Sequence, residues 1–440
     1  MDVTGWECMV CGAVVDIASP FPWRCPNSTL LDRRHVLAIV HAEHTGPANG
    51  LAGQEAAAPA PWHAGANPFI THDRDLAWAA FADANGIDAT TRRTIVTELD
   101  RRVQQVAGVG FVPTPFGRSD LLSDALGFAD GGGVWVKDET GGVGGSQKAR
   151  HLFTILLHLV AAERLGLLAQ RPPLAIASCG NAALAAATLA AAATWPIDVY
   201  VPTWMSDGFG VELDRLGARV HRCERRSSDP SGDPAMFRFR EAVDAGSIPF
   251  TVQGPENALA LDGGRTMGWE IGHQLREAGV EQLDRTFVQV GGGAFAACLG
   301  AGLRSTAGGV RLVAVQAAGC APLRRAWDRA GADLDGGARQ LGERWGELMT
   351  PWEQPDSIAD GILDDETYDW LGVFDAIGGA RADAPVVAAE ADIVAAHQLA
   401  RSAGFDVSPT GSAGLAGLIA SIDTVRPTER VAVVMSGLAR

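Results

Sequence analysis

The sequence predicts an α/β protein built on open, mostly parallel β-sheets that are covered by helices. From residue 111 onward, short runs of β-branched residues bounded by glycine alternate with long segments rich in Ala and Leu, as strands and helices alternate in such sheets. Several of these runs end in loops of Gly, Ser or Asn, which is where parallel sheets bind ligands. With 440 residues, the chain is long enough for two or three packed units.

Residues 1–45 are predicted to be a small N-terminal extension, because three of the seven cysteines fall there. Cys8-x-x-Cys11 followed by Cys25 is typical of the start of a zinc ribbon, in which two thiolates three positions apart chelate one tetrahedral ion. His35 is the nearest candidate for a fourth ligand. Two interpretations stay open: a structural zinc ion held by Cys8, Cys11, Cys25 and His35, or a degenerate extension without metal.

Residues 46–110 are predicted to connect this extension to the core. Residues 48–61 consist mostly of Ala, Gly and Pro, a composition that predicts a linker. A helical stretch is predicted from Asp73 to Val106. The core then comprises residues 111–440.

Seven runs in the core are predicted to be strands: Val134–Lys137, Leu174–Ala177, Asp198–Val201, Arg219–Arg222, Thr286–Val290, Arg311–Gln316 and Val431–Met435. The stretch from Leu174 to Val201 is apolar enough to suggest a membrane span. It contains Asp198 and is interrupted by Pro196, so a buried strand followed by a buried helix explains it better. We therefore expect no contact with a membrane.

The charge of the chain excludes some classes of partner. Its formal net charge of −16 would repel a phosphate backbone, so we expect neither nucleic acid nor an anionic membrane surface as partner. The first eleven residues lack the pattern of a secretory signal, which predicts a cytoplasmic protein. The seven cysteines do not form the regular framework expected of disulfides.

The chain contains only two lysines, Lys137 and Lys148, among 36 basic residues. A desolvated lysine can lose its proton and attack an aldehyde, which arginine cannot do. Lys148 lies in a Gly-rich loop at a predicted helix start and is the candidate for such chemistry. Lys137 ends a strand beside acidic residues, where an ion pair is the better interpretation. Arg150 either attracts an anion or merely belongs to an amphipathic helix start.

A glycine loop, Gly291–Gly293, follows one strand and precedes a helix that begins near Ala294. Such a loop brings backbone N–H groups and the positive end of a helix dipole toward an anion. The spacing matches neither a dinucleotide fingerprint nor a P-loop. An amine, an anion site and a polar loop at Ser178–Asn181 together suit a phosphorylated aldehyde cofactor, and pyridoxal phosphate is such a molecule.

Several motifs now follow one another in a recognisable order. They are Thr114-Pro-Phe, Val136–Thr140, Gly145–Arg150, Ser178–Ala182, Asp262–Thr266, Gly291–Gly293, Ser357–Ile362, Pro409–Gly414 and Met435–Gly437. In this order they resemble the fold-type II pyridoxal-phosphate enzymes, the group of tryptophan synthase β, threonine synthase, and serine and threonine dehydratases. The resemblance implies two open, twisted, mostly parallel sheet domains with the cofactor in the cleft between them. It also implies a smaller subdomain at about residues 150–265, with the remainder of the core as the larger one, and a homodimer.

The resemblance also implies roles for individual residues. Lys148 would carry the cofactor and act as the base at Cα, and Asn181 would bind the ring hydroxyl. The phosphate would lie on Gly291, Gly292, Gly293 and Ala294, and Ser436 would meet the pyridine nitrogen. The substrate carboxylate would be held by the segment Ser178, Cys179, Gly180, Asn181 and Ala182. Gln147 beside the lysine, Cys179 in the polar loop and a run of only three glycines depart from the family's usual pattern, which leaves the substrate open.

The implied activity is that of a lyase or synthase acting on a β- or γ-substituted amino acid through an aminoacrylate-type intermediate, by elimination or replacement. Threonine-synthase-like and serine/threonine-dehydratase-like activities both remain open. A neutral Ser436 cannot keep the pyridine nitrogen protonated, which favours these reactions over transamination. A non-catalytic protein that binds the cofactor and senses an amino acid or assists a partner is the alternative. A zinc-ribbon adaptor for nucleic acid is disfavoured by the net charge.

Overall fold

The computed structural model of the protein describes residues 3–29, 31–42, 65–230, 232–307 and 309–439. The predicted linker at 48–61 lies outside the described residues. The strands are β1 Val3–Cys8, β2 Val14–Asp16, β3 Leu37–His41, β4 Phe116–Ser119, β5 Gly133–Asp138, β6 Leu174–Ala177, β7 Ile197–Pro202, β8 Arg219–Cys223, β9 Ile248–Pro249, β10 Arg285–Gln289, β11 Arg311–Ala317, β12 Val386–Ala388 and β13 Arg430–Met435. All seven predicted core strands are therefore confirmed.

Helices lie between most of the strands. They are α1 Pro68–Thr71, α2 Ala77–Ala84, α3 Ala89–Ala107, α4 Asp120–Ala125, α5 Lys148–Arg164, α6 Asn181–Ala193, α7 Asp207–Arg215, α8 Pro234–Asp244, α9 Ala260–Gly263, α10 Arg265–Glu277, α11 Ala294–Thr306, α12 Pro322–Ala330, α13 Gly337–Glu343, α14 Trp345–Leu348, α15 Trp370–Ile377, α16 Glu390–Ser402 and α17 Pro409–Ala420. In the described part of the chain, no helix is both long and apolar enough to cross a lipid bilayer.

Two sheets of unequal size form the core. The larger has six strands in the order β12-β11-β10-β13-β5-β4, and all neighbours are parallel except β4, which is antiparallel to β5. The smaller has four parallel strands in the order β8-β7-β6-β9. The predicted α/β fold class with mostly parallel sheets is confirmed. The smaller sheet lies wholly within residues 150–265, and the division into subdomains at those numbers stays a prediction.

The N-terminal residues form a third, antiparallel sheet in the order β2-β1-β3. We call the described residues 3–29 and 31–42 the N-terminal module. Trp6 and Leu37 are buried in the same apolar cluster as α5, α6 and the smaller sheet. Val36 is buried in the cluster beneath the larger sheet. The module therefore packs against both halves of the core.

The helical stretch predicted from Asp73 to Val106 is two helices rather than one. A 3-10 turn at Asp73–Asp75 precedes α2, and residues 85–88 separate α2 from α3. Gly86 adopts a φ of +85°, which a side chain would strain, and Asp88 accepts a hydrogen bond from Thr91 N to begin α3. The Asn85-Gly86 pair marks this break in the sequence, because both residues favour turns.

Candidate active site

Three adjacent strands of the larger sheet end at one place. Because β10, β13 and β5 are parallel neighbours, their carboxyl ends meet at the same edge of the sheet. The chain after β13 then pairs with the loop that precedes α5: Gln147 N donates to Ser436 O at 3.1 Å, and Leu438 N donates to Gly145 O at 2.8 Å. This pairing fixes the start of α5, and therefore Lys148, beside Ser436.

Lys148 is the first residue of α5, and its side chain faces a cavity of about 70 Å³. The cavity is lined by Gln147, Lys148, Val252, Gln253, Gln289, Gly291, Gly292, Gly293, Ala294, Phe295, Gly361, Ile362, Asp364, Thr410 and Ser436. The amine makes no hydrogen bond or close ion pair with any residue that the structure describes. Removal from bulk water lowers the pKa of Lys148, against the opposing effect of the carboxylates of Asp364 and Asp369. A lysine with a lowered pKa and no partner is suited to act as a nucleophile.

The glycine loop also lines this cavity and comprises Gly291, Gly292, Gly293 and Ala294. Gly293 has a φ of +98° and precedes the first residue of α11, a helix of 13 residues. A Cβ on Gly291 would collide with the carboxylate of Asp364 and would lie 2.9 Å from Ile362 Cα. The backbone is therefore bare at the N-terminus of a long helix, which is a geometry that binds phosphate.

The carboxylate of Asp364 currently lies over this loop and accepts a hydrogen bond from Gly292 N. Burial raises the pKa of Asp364 to about 6, while the ammonium of Lys148 acts in the opposite direction. Burial also raises the pKa of the neighbouring Asp369 to about 7. The glycine loop thus holds the carboxylate of Asp364 through Gly292 N, and any other anion bound to Gly292 N would replace this side chain there.

Ser436 has a defined orientation because of Gln289. Gln289 Nε2 donates to Ser436 Oγ at 2.7 Å and is also surrounded by the carbonyl oxygens of Thr410, Gly411 and Val434, at 3.3, 2.9 and 3.3 Å. These acceptors identify this end of the amide as the NH₂ group. The oxygen of Ser436 therefore accepts from Gln289, and its own proton is available to donate into the cavity.

The predicted substrate loop lies on the smaller sheet, after β6. Asn181 begins α6, and its amide nitrogen approaches the backbone of Gly437, where an added Cβ would lie only 2.6 Å away. The structure thus brings Asn181 next to the residue that follows Ser436. None of the residues Ser178, Cys179, Gly180, Asn181 and Ala182 lines the cavity at Lys148, and all of them except Ala182 are partly exposed.

Pyridoxal phosphate can be tested against these residues. It needs an amine for its aldehyde, hydrogen-bond donors for its phosphate and polar partners for its ring, and the cavity supplies Lys148, the glycine loop and Ser436. Buried polar atoms without partners among the described residues also surround Lys148, namely Ser146 Oγ, Gln147 Oε1, Gln253 Oε1, Gln289 Oε1 and Asp369 Oδ1. Such atoms are costly unless something binds them. The residues therefore fit the cofactor.

The sequence analysis missed three polar residues of this cavity region: Gln289, Asp364 and Asp369. Gln289 could have been recognised as a polar residue at the end of an apolar strand, directly before the glycine loop. The acidic run from Asp364 to Glu366 follows the Ser357–Ile362 motif, but nothing in its sequence indicates contact with the glycine loop. Only the fold brings these carboxylates to the lysine.

Lys137 and Arg150 belong to a buried charge cluster outside the cavity at Lys148. Lys137 Nζ lies 2.7 Å from Glu270 Oε2, and Arg150 binds both Glu270 and Glu139, at 2.6 and 2.9 Å. The ion-pair interpretation of Lys137 agrees with this arrangement. Arg150 does attract carboxylates, but they are those of Glu139 and Glu270 within the protein. The other interpretation, an amphipathic helix start, does not hold because Arg150 is buried.

The four predicted metal ligands come together in the N-terminal module. One ligand atom from each of Cys8, Cys11, Cys25 and His35 lies within 4.8 Å of all the others. Cys8 Sγ is 3.3 Å from His35 Nδ1, and Cys11 Sγ is 3.5 Å from Cys25 Sγ. The remaining cysteines, Cys179, Cys223, Cys298 and Cys320, are all free thiols elsewhere in the core.

Comparison with known proteins gives one family and a set of similar folds. The family described as "Pyridoxal-phosphate dependent enzyme" matches residues 109–437. No curated protein is similar enough in sequence to count as a relative. Among solved structures, a threonine deaminase from T.th. is 21% identical with a TM-score of 0.58, covering 78% of this chain and 98% of its own.

Two further structures have the same fold. The processed threonine deaminase isoform 2 of Solanum lycopersicum is 19% identical, with a TM-score of 0.57 and coverage of 80% of this chain and 86% of its own. Diaminopropionate ammonia lyase of Escherichia coli, solved with an aminoacrylate intermediate, is 16% identical, with a TM-score of 0.59 and coverage of 79% and 89%. At these identities the likeness shows the fold alone.

Proposed function

The chain belongs to the pyridoxal-phosphate-dependent enzymes, of fold type II, and from this premise we propose that it is a lyase or synthase acting on a β- or γ-substituted amino acid. The observation that carries the proposal is the free amine of Lys148, which shares one cavity with the glycine loop and Ser436. When bound, the cofactor supplies an electron-withdrawing ring that weakens the bonds at the α-carbon of an attached amino acid.

Each residue has a role that its position supports. Lys148 Nζ would hold the cofactor through its aldehyde and would act as the base for the proton on the substrate's Cα. The N–H groups of Gly291, Gly292, Gly293 and Ala294 hold the phosphate.

The ring and the substrate contact other residues. Asn181 would contact the ring hydroxyl, Ser436 would donate a hydrogen bond to the pyridine nitrogen, and the backbone of Ser178–Ala182 would hold the substrate carboxylate. A neutral hydroxyl would leave that nitrogen unprotonated, so the ring would delocalise less of the negative charge that forms at Cα, and loss of a substituent from the adjacent carbon would be favoured. This supports elimination or replacement over transamination.

The surroundings of Cys179 support a substrate with a cationic side chain. Burial raises the pKa of this thiol to about 11, and the carboxylates of Asp360, Asp233 and Asp364 add to the effect. Three carboxylates near the predicted substrate loop would attract an ammonium group on the substrate's side chain and would disfavour a side chain that carries a phosphate or a carboxylate. We propose a diamino acid ahead of serine or threonine, with ammonia as the leaving group.

The test starts from the purified full chain supplied with pyridoxal phosphate. The protein is expected to be yellow, borohydride is expected to fix the cofactor on Lys148, and the peptide mass locates the bond. Lys148→Ala is expected to remove that bond and at least a thousandfold of the turnover while the circular dichroism stays unchanged. Cofactor fixed on no lysine, or full activity of Lys148→Ala, would disprove the assignment.

A substrate panel then separates the reactions. We expect 2,3-diaminopropionate to release keto acid and ammonia faster than serine, threonine or O-phosphoserine does. Exchange of the Cα proton without release of ammonia would indicate a racemase and would contradict the lyase proposal. Bound cofactor with no reaction of any substrate would favour the non-catalytic alternative.

A further inference from the structure

We propose that Cys8, Cys11, Cys25 and His35 bind one Zn²⁺, and that this ion holds the N-terminal module as a clamp across both halves of the core. The clamp is independent of the cofactor site. Three sets of observations support the zinc clamp: the geometry of the four ligands, the groups around them, and the contacts of the module with the core.

The ligand atoms have the spacing of a tetrahedral site. Zinc–sulfur bonds of about 2.3 Å and zinc–nitrogen bonds of about 2.0 Å place ligands about 3.8 Å apart for two sulfurs and about 3.5 Å apart for sulfur and nitrogen. The observed separations are 3.5 Å between Cys11 Sγ and Cys25 Sγ, and 3.3 Å between Cys8 Sγ and His35 Nδ1. Three thiolates and an imidazole complete four-coordination, which is typical of structural rather than catalytic zinc.

The groups around the ligands favour the metal-bound state. Asn27 donates from its backbone N to Cys25 Sγ at 3.4 Å and from its side chain to Cys11 Sγ at 3.3 Å, which stabilises thiolate sulfur. The second ring nitrogen of His35, Nε2, lies 3.6 Å from Asp32 Oδ2. A carboxylate behind a ligating histidine orients the ring and strengthens its bond to the metal, as it does at zinc sites generally.

The module needs such an ion because it is small. It has about 40 residues and three short strands, and chains of that size usually require a metal or disulfides to fold. Cys8 and Cys25 are buried, and His35 is only 7% exposed, so the ligands replace much of the hydrophobic core that the module lacks. The ion is therefore expected to hold the module in a single folded conformation.

The module contacts the smaller half of the core through ion pairs and main-chain bonds. Arg33 binds Asp244 at 2.8 Å and Glu256 at 3.2 Å, and Arg24 binds Glu256 at 2.8 Å. Ala258 N donates to Trp23 O at 2.9 Å. Trp23 and Arg24 directly precede Cys25, and Arg33 lies two residues before His35, so the positions of these two ligands affect the contact.

The module contacts the larger half near the other ligands. Glu7, next to Cys8, binds Arg339 at 2.7 Å, and Val10 packs against Gly342 on α13. Val36, next to His35, is buried beneath the larger sheet. One tetrahedral ion thus joins the segment that touches one half of the core to the segments that touch the other.

The first test measures the metal on the untreated full chain. Mass spectrometry of metals is expected to find one zinc per chain after purification without added metal. Replacement by Co²⁺ is expected to give the intense visible absorption of a tetrahedral site with sulfur ligands. Iron in place of zinc would overturn the proposal, and so would a metal-free chain with a disulfide between Cys11 and Cys25.

Variants test the ligands. Cys11 is the exposed ligand, so Cys11→Ser disturbs packing least and is expected to lose zinc to a weak chelator at least a hundredfold faster than the wild type. Asp32→Asn is expected to lose it about tenfold faster, as second-sphere changes generally do. Cys320→Ser, a buried free thiol in the core, is the matched control and keeps its zinc. Equal zinc loss from Cys11→Ser and Cys320→Ser would refute the assignment.

Hydrogen exchange tests the clamp on the wild-type chain. Removing zinc with a chelator is expected to speed amide exchange in residues 253–258 and in α13 together, which lie in different halves of the core. Yellow colour and the mass of the borohydride-fixed cofactor report the active site separately, so failure of either proposal is recognisable alone. Faster exchange confined to the module would show that zinc folds it without clamping the core.

Discussion

The hydroxyl of Ser436 has one free proton because its oxygen is already bound by Gln289 Nε2. Removing it in Ser436→Ala is expected to weaken cofactor binding about tenfold, since one net hydrogen bond contributes about 1.4 kcal/mol. Equilibrium dialysis or quenching of protein fluorescence measures the affinity. Ser421→Ala, the same change at the far end of α17, is the control and is expected to bind as the wild type does. Equal affinity of both variants would remove Ser436 from the site.

Asp369 is expected to make the cofactor-free protein less stable as the pH rises. Burial raises its pKa to about 7, whereas an unfolded chain has a value near 4. Between these values the folded protein binds more protons than the unfolded chain, so the free energy of unfolding falls from about pH 4 to about pH 7 and stays low above it. Asp369→Asn cannot ionise, so its advantage in stability over the wild type is expected to be larger at pH 8 than at pH 5.

Urea unfolding at a series of pH values measures this difference. Asp375→Asn is the control, because Asp375 lies on α15, the helix that begins directly after Asp369, but is exposed and pairs with Arg304 at the surface. Its stability is expected to follow the wild type at every pH. If Asp369→Asn and the wild type keep a constant difference from pH 5 to pH 8, the buried carboxyl is not the titrating group.

At the scale of single residues, the sequence identified site residues of a type that is rare in this chain, and it did not identify those of a type that is common. Lys148 was recognisable because only two lysines occur, and the glycines because three in a row follow a strand. Asp364 is one of 52 acidic residues. Its contact with Gly292 joins two residues that lie more than 70 positions apart in the chain. Such contacts are decided by tertiary packing, which a local pattern does not contain.

At the scale of elements, the Asp262–Thr266 motif has a structural role that its sequence does not reveal. Asp262 is fully buried and accepts hydrogen bonds from Ala77 N at 2.9 Å and Trp78 N at 3.2 Å, which are the first N–H groups of α2. It also pairs with Arg265. A side chain nearly 190 residues away therefore satisfies the start of this helix, which has no side-chain cap of its own.

Asp262→Ala is expected to lower the free energy of unfolding by about 3 kcal/mol or more, because it leaves buried N–H groups and a buried guanidinium without their partner. Urea denaturation measures the loss. Asp88→Ala, which removes the exposed cap of α3, is the control and is expected to cost about 1 kcal/mol. If both variants lost the same free energy of unfolding, the burial of Asp262 would not increase the stabilisation that its hydrogen bonds provide.

The elements that sequence predicted are the buried ones. Each of the seven core strands is a short apolar run whose length and flanking residues restrict the alternatives, and all seven exist within one or two residues of their predicted ends. The elements that were missed are short or amphipathic edge strands, such as β4, β9 and β12. Pairing with a neighbouring strand defines them, and a neighbour cannot be read from local composition.

For the molecule as a whole, the carboxyl ends of both sheets meet at the cavity of Lys148. The larger sheet contributes the glycine loop and Ser436 to the cavity lining, and the chain after β9 of the smaller sheet contributes Val252 and Gln253. The amide of Asn181, which follows β6, approaches Gly437 next to Ser436. The sequence indicated that polar loops would gather at strand ends, but it did not indicate which sheet each strand joins. That assignment depends on strand order, and β5 lies in the larger sheet although β6 begins the smaller one.

Substitutions of the two lysines are expected to have opposite effects on the stability of the fold and on the attachment of the cofactor. Lys137, Arg150, Glu139 and Glu270 form a neutral buried cluster that joins β5 to α5 and α10. In Lys137→Met one buried carboxylate loses its compensating charge, so we expect the free energy of unfolding to fall by about 3 to 5 kcal/mol. Cofactor should still become fixed on Lys148, because that amine lies outside the cluster.

The double variant Lys137→Met/Glu270→Gln removes one charge of each sign and is expected to recover part of the lost stability, which urea unfolding of all variants measures. Lys148→Ala should behave in the opposite way, with an unchanged or higher stability and no fixed cofactor, because it removes a desolvated amine that has no partner. If Lys137→Met lost the cofactor bond while keeping its stability, the two lysines would have been assigned the wrong way round.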